Sequence, residues 1–142
     1  MHHLKLISFL LGIAFLAGCT SNKCEPGSAY ALPGTNAAVV GIFIGKDGFP
    51  KETHKEVVLR PGEKVIYAGP EKFSIIFKNR KTPNGKVENV SRGGVVVIEI
   101  PSDIFERKEF FEEFRKNNFL VFDYGIRANG KETDPPIKVV PL

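Results

Sequence analysis

From residue 38 onward, short apolar runs alternate with turn signals along the chain. The runs are rich in Val, Ile and Phe, and Gly, Pro, Asn and Lys separate them. Runs of this length and composition predict β-strands. The seven runs are 38–44, 56–60, 64–68, 73–78, 95–100, 120–128 and 137–140. Seven short strands over about 100 residues predict a mainly β fold, an antiparallel β-sandwich.

The sixth run shows the alternation of a half-buried strand most clearly. One face carries Leu120, Phe122, Tyr124, Ile126 and Ala128, whereas the other carries Val121 and then only polar or small residues. Apolar residues at a spacing of two share one face of a strand. The run therefore predicts a strand with one face in the core.

Two dipeptides predict the turns that connect these strands. Pro61-Gly62 fits a type II turn, because Pro presets φ and Gly accepts a positive φ. Asn129-Gly130 is a strong hairpin signal.

One segment, residues 102–118, has helical rather than strand periodicity. It opens with a potential capping serine, Ser102, and has acidic residues early and basic residues late. At about 100° per residue, four apolar side chains fall within one arc. They are Ile104, Phe110, Phe111 and Phe114. The segment predicts an amphipathic helix inserted in the sandwich and packed against it.

Phe105 lies far from that apolar arc on the predicted helix, among Glu109, Glu112 and Lys116. A large aromatic side chain on a polar helix face is either covered by a neighbouring loop or offered to a partner. Both readings are open from the sequence. If it is exposed, Phe105 is a candidate partner contact.

The N-terminal 18 residues have a different character. Residues 6–16 are almost wholly apolar, too short to span a bilayer and typical of a signal-peptide core. They lead into Leu16-Ala17-Gly18-Cys19, which resembles the bacterial lipobox. The resemblance implies that 1–18 is a signal peptide and that Cys19 is lipidated at the mature N-terminus, with palmitate-type acyl chains as the membrane anchor.

The residues after the cysteine favour an outer-membrane address. In enterobacteria-like sorting, Asp after the lipidated cysteine retains a lipoprotein in the inner membrane, and this chain has Thr20. We expect attachment to the periplasmic face of the outer membrane, with the inner membrane as the alternative. Residues 19–37 are rich in small and polar residues and predict a flexible tether, so that the sandwich domain spans 38–142.

Cys24 is the second of only two cysteines. With Cys19 lipidated it has no intramolecular partner. It is then either a free thiol or a possible intermolecular disulfide.

Charge gives one further candidate surface. Without residues 1–18 only Lys5 is lost, so the formal net charge falls from +4 to +3. That value is too low to indicate nucleic acid. Four cations cluster in the sequence 78–86: Lys78, Arg80, Lys81 and Lys86. They form either a solvated loop or a contact for lipid phosphates, an anionic envelope polymer or an acidic protein.

A scattered set of residues resembles small bacterial cupredoxin-like sandwich domains, which share the immunoglobulin-like layout. The matching residues are Gly48, Pro50, Pro61, Gly62, Phe73, Phe77, Tyr124, Gly130, Asp134, Pro135, Ile137 and Val139. The resemblance implies a fold. Tyr67 stands where such domains commonly have Trp, and the helix is an insertion.

The residues do not supply the copper site of a cupredoxin. A blue copper site needs two His and a Cys thiolate, often with Met. Downstream of residue 18 the chain has His54, Cys24 and no Met. The sequence therefore predicts no metal site and no cofactor.

Nor does any residue set predict catalysis. No Ser lies in a nucleophile-elbow motif, and the adjacent Glu112 and Glu113 point about 100° apart on a helix. The leading hypothesis is a non-catalytic binding or structural module of the envelope. A ligand- or metal-capturing protein is the alternative, and an enzyme of unknown type comes third.

Overall fold

The structure is a computed structural model that describes residues 27–142. It contains eleven strands, one α-helix and two short 3₁₀ turns. The strands are β1 Ser28–Ala29, β2 Ala37–Ile44, β3 Pro50–Glu52, β4 Glu56–Leu59, β5 Lys64–Ala68, β6 Ser74–Phe77, β7 Glu88–Val90, β8 Val95–Glu99, β9 Leu120–Ala128, β10 Lys131–Thr133 and β11 Pro136–Val139. The helix α1 is Lys108–Asn117, and the 3₁₀ turns are Lys78–Arg80 and Ile104–Glu106.

The strands form two sheets that pack face to face. One sheet has the order β1-β4-β11-β9-β6-β7, with β10 paired to β9 beyond the end of β11. The other has the order β3-β2-β5-β8. The predicted β-sandwich is confirmed, and all seven predicted runs are strands.

Two details of the sandwich differ from the prediction. Four further strands, β1, β3, β7 and β10, are only two or three residues long, too short for an alternation that a sequence pattern could reveal. The sheets are also mixed rather than antiparallel, because β2–β5, β4–β11 and β1–β4 are parallel pairs. After β2 and β3 the chain crosses to the other sheet for β4 and returns, so β5 runs in the direction of β2.

The tether boundary also differs from the prediction. Ser28 and Ala29, placed within the tether by composition, pair with Glu56 and Val57 of β4. Ala29 is buried in the core. Residues 28–37 therefore belong to the folded domain. The sequence pattern did not show this, because a two-residue strand is too short for apolar alternation.

The predicted helix is shorter than expected and interrupted. Ile104–Glu106 is a 3₁₀ turn, and Arg107, the residue before α1, is extended with ψ 132°. The predicted capping by Ser102 is wrong, since Arg107 stands at the N-cap and makes no capping side-chain hydrogen bond. Asn118 closes the helix in the left-handed conformation.

That interruption resets the angular phase of the helix. Ile104 and Phe110 are buried as predicted, and Phe114 is half-buried. Phe111, predicted to face the core, is 51% exposed. A single period cannot run through an extended residue.

Aromatic rings connect the two sheets and the helix. Tyr67 of β5 meets Tyr124 of β9 edge to face, with ring centroids 5.7 Å apart. Phe77 contacts both Tyr124 and Phe122, and Phe110 of α1 packs on Phe122 at 5.3 Å. The centre of the domain is thus one continuous apolar core.

Candidate functional site

The two cysteines, Cys19 and Cys24, lie outside the residues that the structure describes. Their predicted lipidation and intermolecular bonding stay predictions. Within residues 27–142, no helix is long and apolar enough to cross a bilayer.

Lys78, the first cation of the predicted basic loop, is held in an ion-pair network. Its ammonium contacts the carboxylate of Glu132, and lies 3.2 Å from Asp134 Oδ1. Arg127 pairs with the same Glu132 carboxylate at 3.1 Å. The hydrogen bond raises the pKa of Lys78 and lowers the pKa of Glu132. A Cβ on Gly125 would overlap the Glu132 side chain, so a larger residue there would displace this carboxylate.

Lys81 connects three elements. Its ammonium contacts the carboxylate of Glu113 on α1 and donates to the carbonyl of Val121 on β9 at 2.5 Å. Glu113 also accepts a hydrogen bond from the Val121 N–H at 3.0 Å. The Lys81 ammonium lies 5.2 Å from the Phe122 ring centroid. Lys81 therefore fastens α1 to the start of β9.

The other two cations of this loop, Arg80 and Lys86, are exposed. Arg80 has φ 56°, and the Lys86 N–H donates to the Asn84 side chain. The structure therefore brings no four-cation surface together here. Two of the four cations serve the domain's own packing.

Phe105 is covered rather than presented on a polar helix face. It lies in the 3₁₀ turn, and its ring stacks on Phe114 with centroids 3.9 Å apart and planes at 15°. Both rings are half-buried against the core. The extended residue Arg107 turns Phe105 away from the position that continuous periodicity gave it. The candidate partner contact at Phe105 is replaced by a packing role.

The residues tested for metal or catalytic chemistry lie apart. Among residues 27–142, no group of three or more His, Cys, Asp or Glu side chains is placed to hold a metal ion. His54 contacts its neighbour Thr53, with Nδ1 and Oγ1 2.9 Å apart. Gly93 and Gly94, both at positive φ, form the tight turn between Arg92 and Val95.

The buried tyrosine pair is the most shielded polar feature of the domain. Tyr67 has no exposed surface, and its hydroxyl, which lies near that of Tyr124, makes no hydrogen bond of normal geometry in the described chain. Burial raises the pKa of Tyr67 and of Tyr124 far above the usual value. Burial also raises the pKa of nearby Glu52. Both phenols stay neutral at physiological pH, so the pair offers an ion no charge.

The sequence prediction missed a surface on the β2–β3 hairpin. Phe43 and Phe49 are 50% and 39% exposed, and Lys131 from the β9–β10 turn reaches over the Phe49 ring. Run 38–44 is apolar on both faces, so alternation could not show that Phe43 points outward. The Asn129-Gly130 signal predicted the turn that carries Lys131, but not its contact with a distant hairpin.

Comparisons with known proteins add little to this picture. No protein-family model matches the chain, and no curated protein sequence matches it. One similar solved structure is the NMR solution structure of a copper binding protein in the apo form. It is 12% identical, the match covers 80% of this chain and 95% of that one, and the TM-score is 0.37. A likeness at this level carries no inference about metal binding here.

Proposed function

We propose that this chain is a lipid-anchored envelope protein whose β-sandwich is a non-catalytic binding or structural module. The observation that carries the proposal is the lipobox-like sequence Leu16-Ala17-Gly18-Cys19, which a folded domain follows after a short segment. The first strand begins at Ser28, nine residues after Cys19. A fully extended chain of that length spans at most about 30 Å. The anchor therefore keeps the domain beside the membrane.

The described polar side chains support a module that acts through its surface. Lys78, Lys81 and their carboxylate partners stabilise the domain rather than converge on a reactive group. The aromatic core is filled by Tyr67, Tyr124 and their neighbours. What remains available to other molecules is the outer surface of a rigid sandwich held near the bilayer.

The test is fractionation of cells that express the full chain. We expect wild type in the membrane fraction with a mass increase for diacylglyceryl and acyl groups. Cys19→Ser should lose both the mass increase and normal processing, whereas the matched control Cys24→Ser should keep them. In a host with enterobacteria-like sorting, Thr20→Asp should move the protein from the outer to the inner membrane. A wild-type protein that is membrane-bound without acyl groups would overturn the anchor.

A further inference from the structure

The tips of two hairpins meet at one end of the sandwich, where Lys131 contacts Phe49 and the backbone of Asp47. We call the exposed side chains of Phe43, Lys46, Phe49 and Lys131 the hairpin-tip surface. The two rings are 50% and 39% exposed, although each is large and apolar. Exposed aromatic rings beside lysines suit the boundary between lipid head groups and acyl chains.

Contacts within the tip hold Phe49 and Lys131 in place. Lys131 donates to the carbonyl of Asp47 at 2.9 Å, and its ammonium lies 4.8 Å from the Phe49 ring centroid. The Asp47 carboxylate accepts from the Phe49 N–H at 3.0 Å and pairs with Lys51 at 3.1 Å. The tip is therefore ordered before any partner arrives, which lowers the entropic cost of binding.

The end of the sandwich that carries the tips is also its basic end. Strands β2 and β5 end at this end of the sandwich, and β6 begins there. The β2–β3 turn and the β5–β6 connection therefore lie together at this end. The cations at this end are Lys46, Lys51, Lys72, Arg92, Arg127 and Lys131, and the carboxylates are Asp47, Glu52, Glu71 and Glu132, of which Asp47 pairs with Lys51 and Glu132 with Arg127. Cations outnumber carboxylates, so an anionic surface is favoured as the occupant.

The N-terminal end of β1 points toward this same end. Strands β1, β4 and β11 are parallel, and β9 runs opposite to β11 toward its tip at Asn129-Gly130. Gly27 therefore lies on the tip side of Ser28. The register of β1, β4, β11 and β9 places Ser28 level with Asp123. Asp123 precedes Ala128, at the tip end of β9, by five residues, or about 17 Å along the strand. The chain from Cys19 to Ser28 reaches at most about 30 Å, so Cys19 can lie in the plane of the tips.

We propose that the hairpin-tip surface docks on the anionic lipid bilayer to which the chain is anchored. The inference rests on the proposed lipid anchor for its orientation. The rings of Phe43 and Phe49 insert among the head groups, while Lys46 and Lys131 contact lipid phosphates. The helix α1 precedes the start of β9, so it lies at the opposite end and faces away from the membrane.

The first experiment measures vesicle binding without the anchor. All core side chains lie between Ala29 and Val139, so the lipid-free chain beginning at Thr20 retains the whole core. We expect this chain to co-sediment with phosphatidylcholine vesicles that contain phosphatidylglycerol, and not with phosphatidylcholine alone. Binding should weaken as salt rises from low to physiological concentration.

Matched variants locate the surface. Lys46→Gln should reduce affinity about five-fold, the effect of removing one cation near an anionic membrane. Phe43→Ala should reduce it about ten-fold by removing inserted apolar area. Lys108→Gln and Phe111→Ala are controls at the opposite end, where Phe111 is 51% exposed. Circular dichroism checks that each variant is folded.

A fluorescent probe reports insertion directly, because the chain has no Trp. Phe43→Trp should show a blue shift in emission with phosphatidylglycerol vesicles, whereas Phe111→Trp should not. Equal shifts at both positions would overturn the proposal. Loss of vesicle binding in the α1 variants or in Arg80→Gln, with binding kept in the tip variants, would also overturn it. Absence of vesicle binding, with or without binding to purified cell-wall polymer, would also overturn it.

Failure of this inference is distinguishable from failure of the anchor. Vesicle binding uses chain that carries no lipid, whereas the Cys19→Ser fractionation reports acylation alone. If the protein is acylated in cells but its lipid-free domain does not bind vesicles, the anchor is supported and the docking surface is ruled out.

Discussion

Tyr67 and Tyr124 face each other across the two sheets at the centre of the core. Their rings contribute apolar area and edge-to-face contact, which favours burial. The Tyr67 hydroxyl, buried without a hydrogen bond of normal geometry in residues 27–142, opposes it. An unsatisfied buried polar group costs about 1–3 kcal/mol. The ring and its hydroxyl therefore act on stability in opposite directions.

Tyr67→Phe separates these two effects. We expect stability equal to wild type or higher by about 1 kcal/mol, because the ring stays and the unpaired hydroxyl is lost. Tyr67→Ala should lower stability by about 3–5 kcal/mol, because it leaves a cavity between the sheets. Urea unfolding measures both. A Tyr67→Phe variant less stable than wild type by more than about 1 kcal/mol would show that the hydroxyl has a partner.

Phe105 shows how one residue's backbone decides another residue's environment. Continuous helical periodicity placed it opposite the core, and the extended Arg107 placed it against Phe114 instead. Arg107 is neither proline nor glycine, so no local pattern in the sequence marks the break in the helix.

At the scale of elements, polar side chains hold the periphery of the sandwich together. Lys81 and Glu113 bind the carbonyl and the N–H of Val121 and so fasten α1 to β9. Glu132 on β10 joins Lys78 to Arg127. Two of the four cations in the 78–86 loop, Lys78 and Lys81, thus link elements that are distant in the chain.

The link at Glu132 predicts a dependence of stability on pH. The hydrogen bond from Lys78 lowers the Glu132 pKa below its usual 4.5, so the folded state binds a proton less readily than the unfolded state. The stabilisation is complete above the unfolded pKa and is lost as pH falls through the folded pKa. Glu132→Gln should therefore show a shallower loss of stability than wild type below about pH 5.

Urea unfolding over a pH series measures this difference. Glu112→Gln, which removes an exposed carboxylate on α1, controls for the change in net charge. An identical slope for wild type and Glu132→Gln in the acid range would show that the Lys78 contact does not persist in solution.

At the scale of the whole molecule, the first strand joins the N-terminal chain to the sheet edge. Ser28 and Ala29 pair with β4, and the Ser28 hydroxyl donates to the Glu56 carboxylate at 3.0 Å. The proposed lipid anchor would therefore be connected to a strand that is part of the folded domain. Under the proposed anchor, the position of this strand would set the orientation of the domain at the membrane.

Truncation tests where the domain begins. Chains that begin at Thr20 and at Gly27 should unfold at the same urea concentration, because both retain β1. A chain that begins at Leu32 should be less stable by about 1–2 kcal/mol, since it loses the β1–β4 hydrogen bonds and the burial of Ala29. Equal stability of all three would restore the sequence-based boundary at residue 38.

The sequence alone determined the features that local chemistry controls. Alternation at Leu120–Ala128 and the turn dipeptides Pro61-Gly62 and Asn129-Gly130 marked strands and turns, because side-chain periodicity and positive φ are properties of a few neighbouring residues. They were enough to predict the sandwich.

Only the tertiary structure decided which distant residues meet. It paired Lys78 with Glu132, joined Lys131 to the hairpin of Phe49, and placed β1 beside β4. It also broke the helix at Arg107. These outcomes depend on how strands cross between sheets and on which contacts compensate for the loss of chain entropy. Such contacts form between segments far apart in the chain, so no local pattern records them.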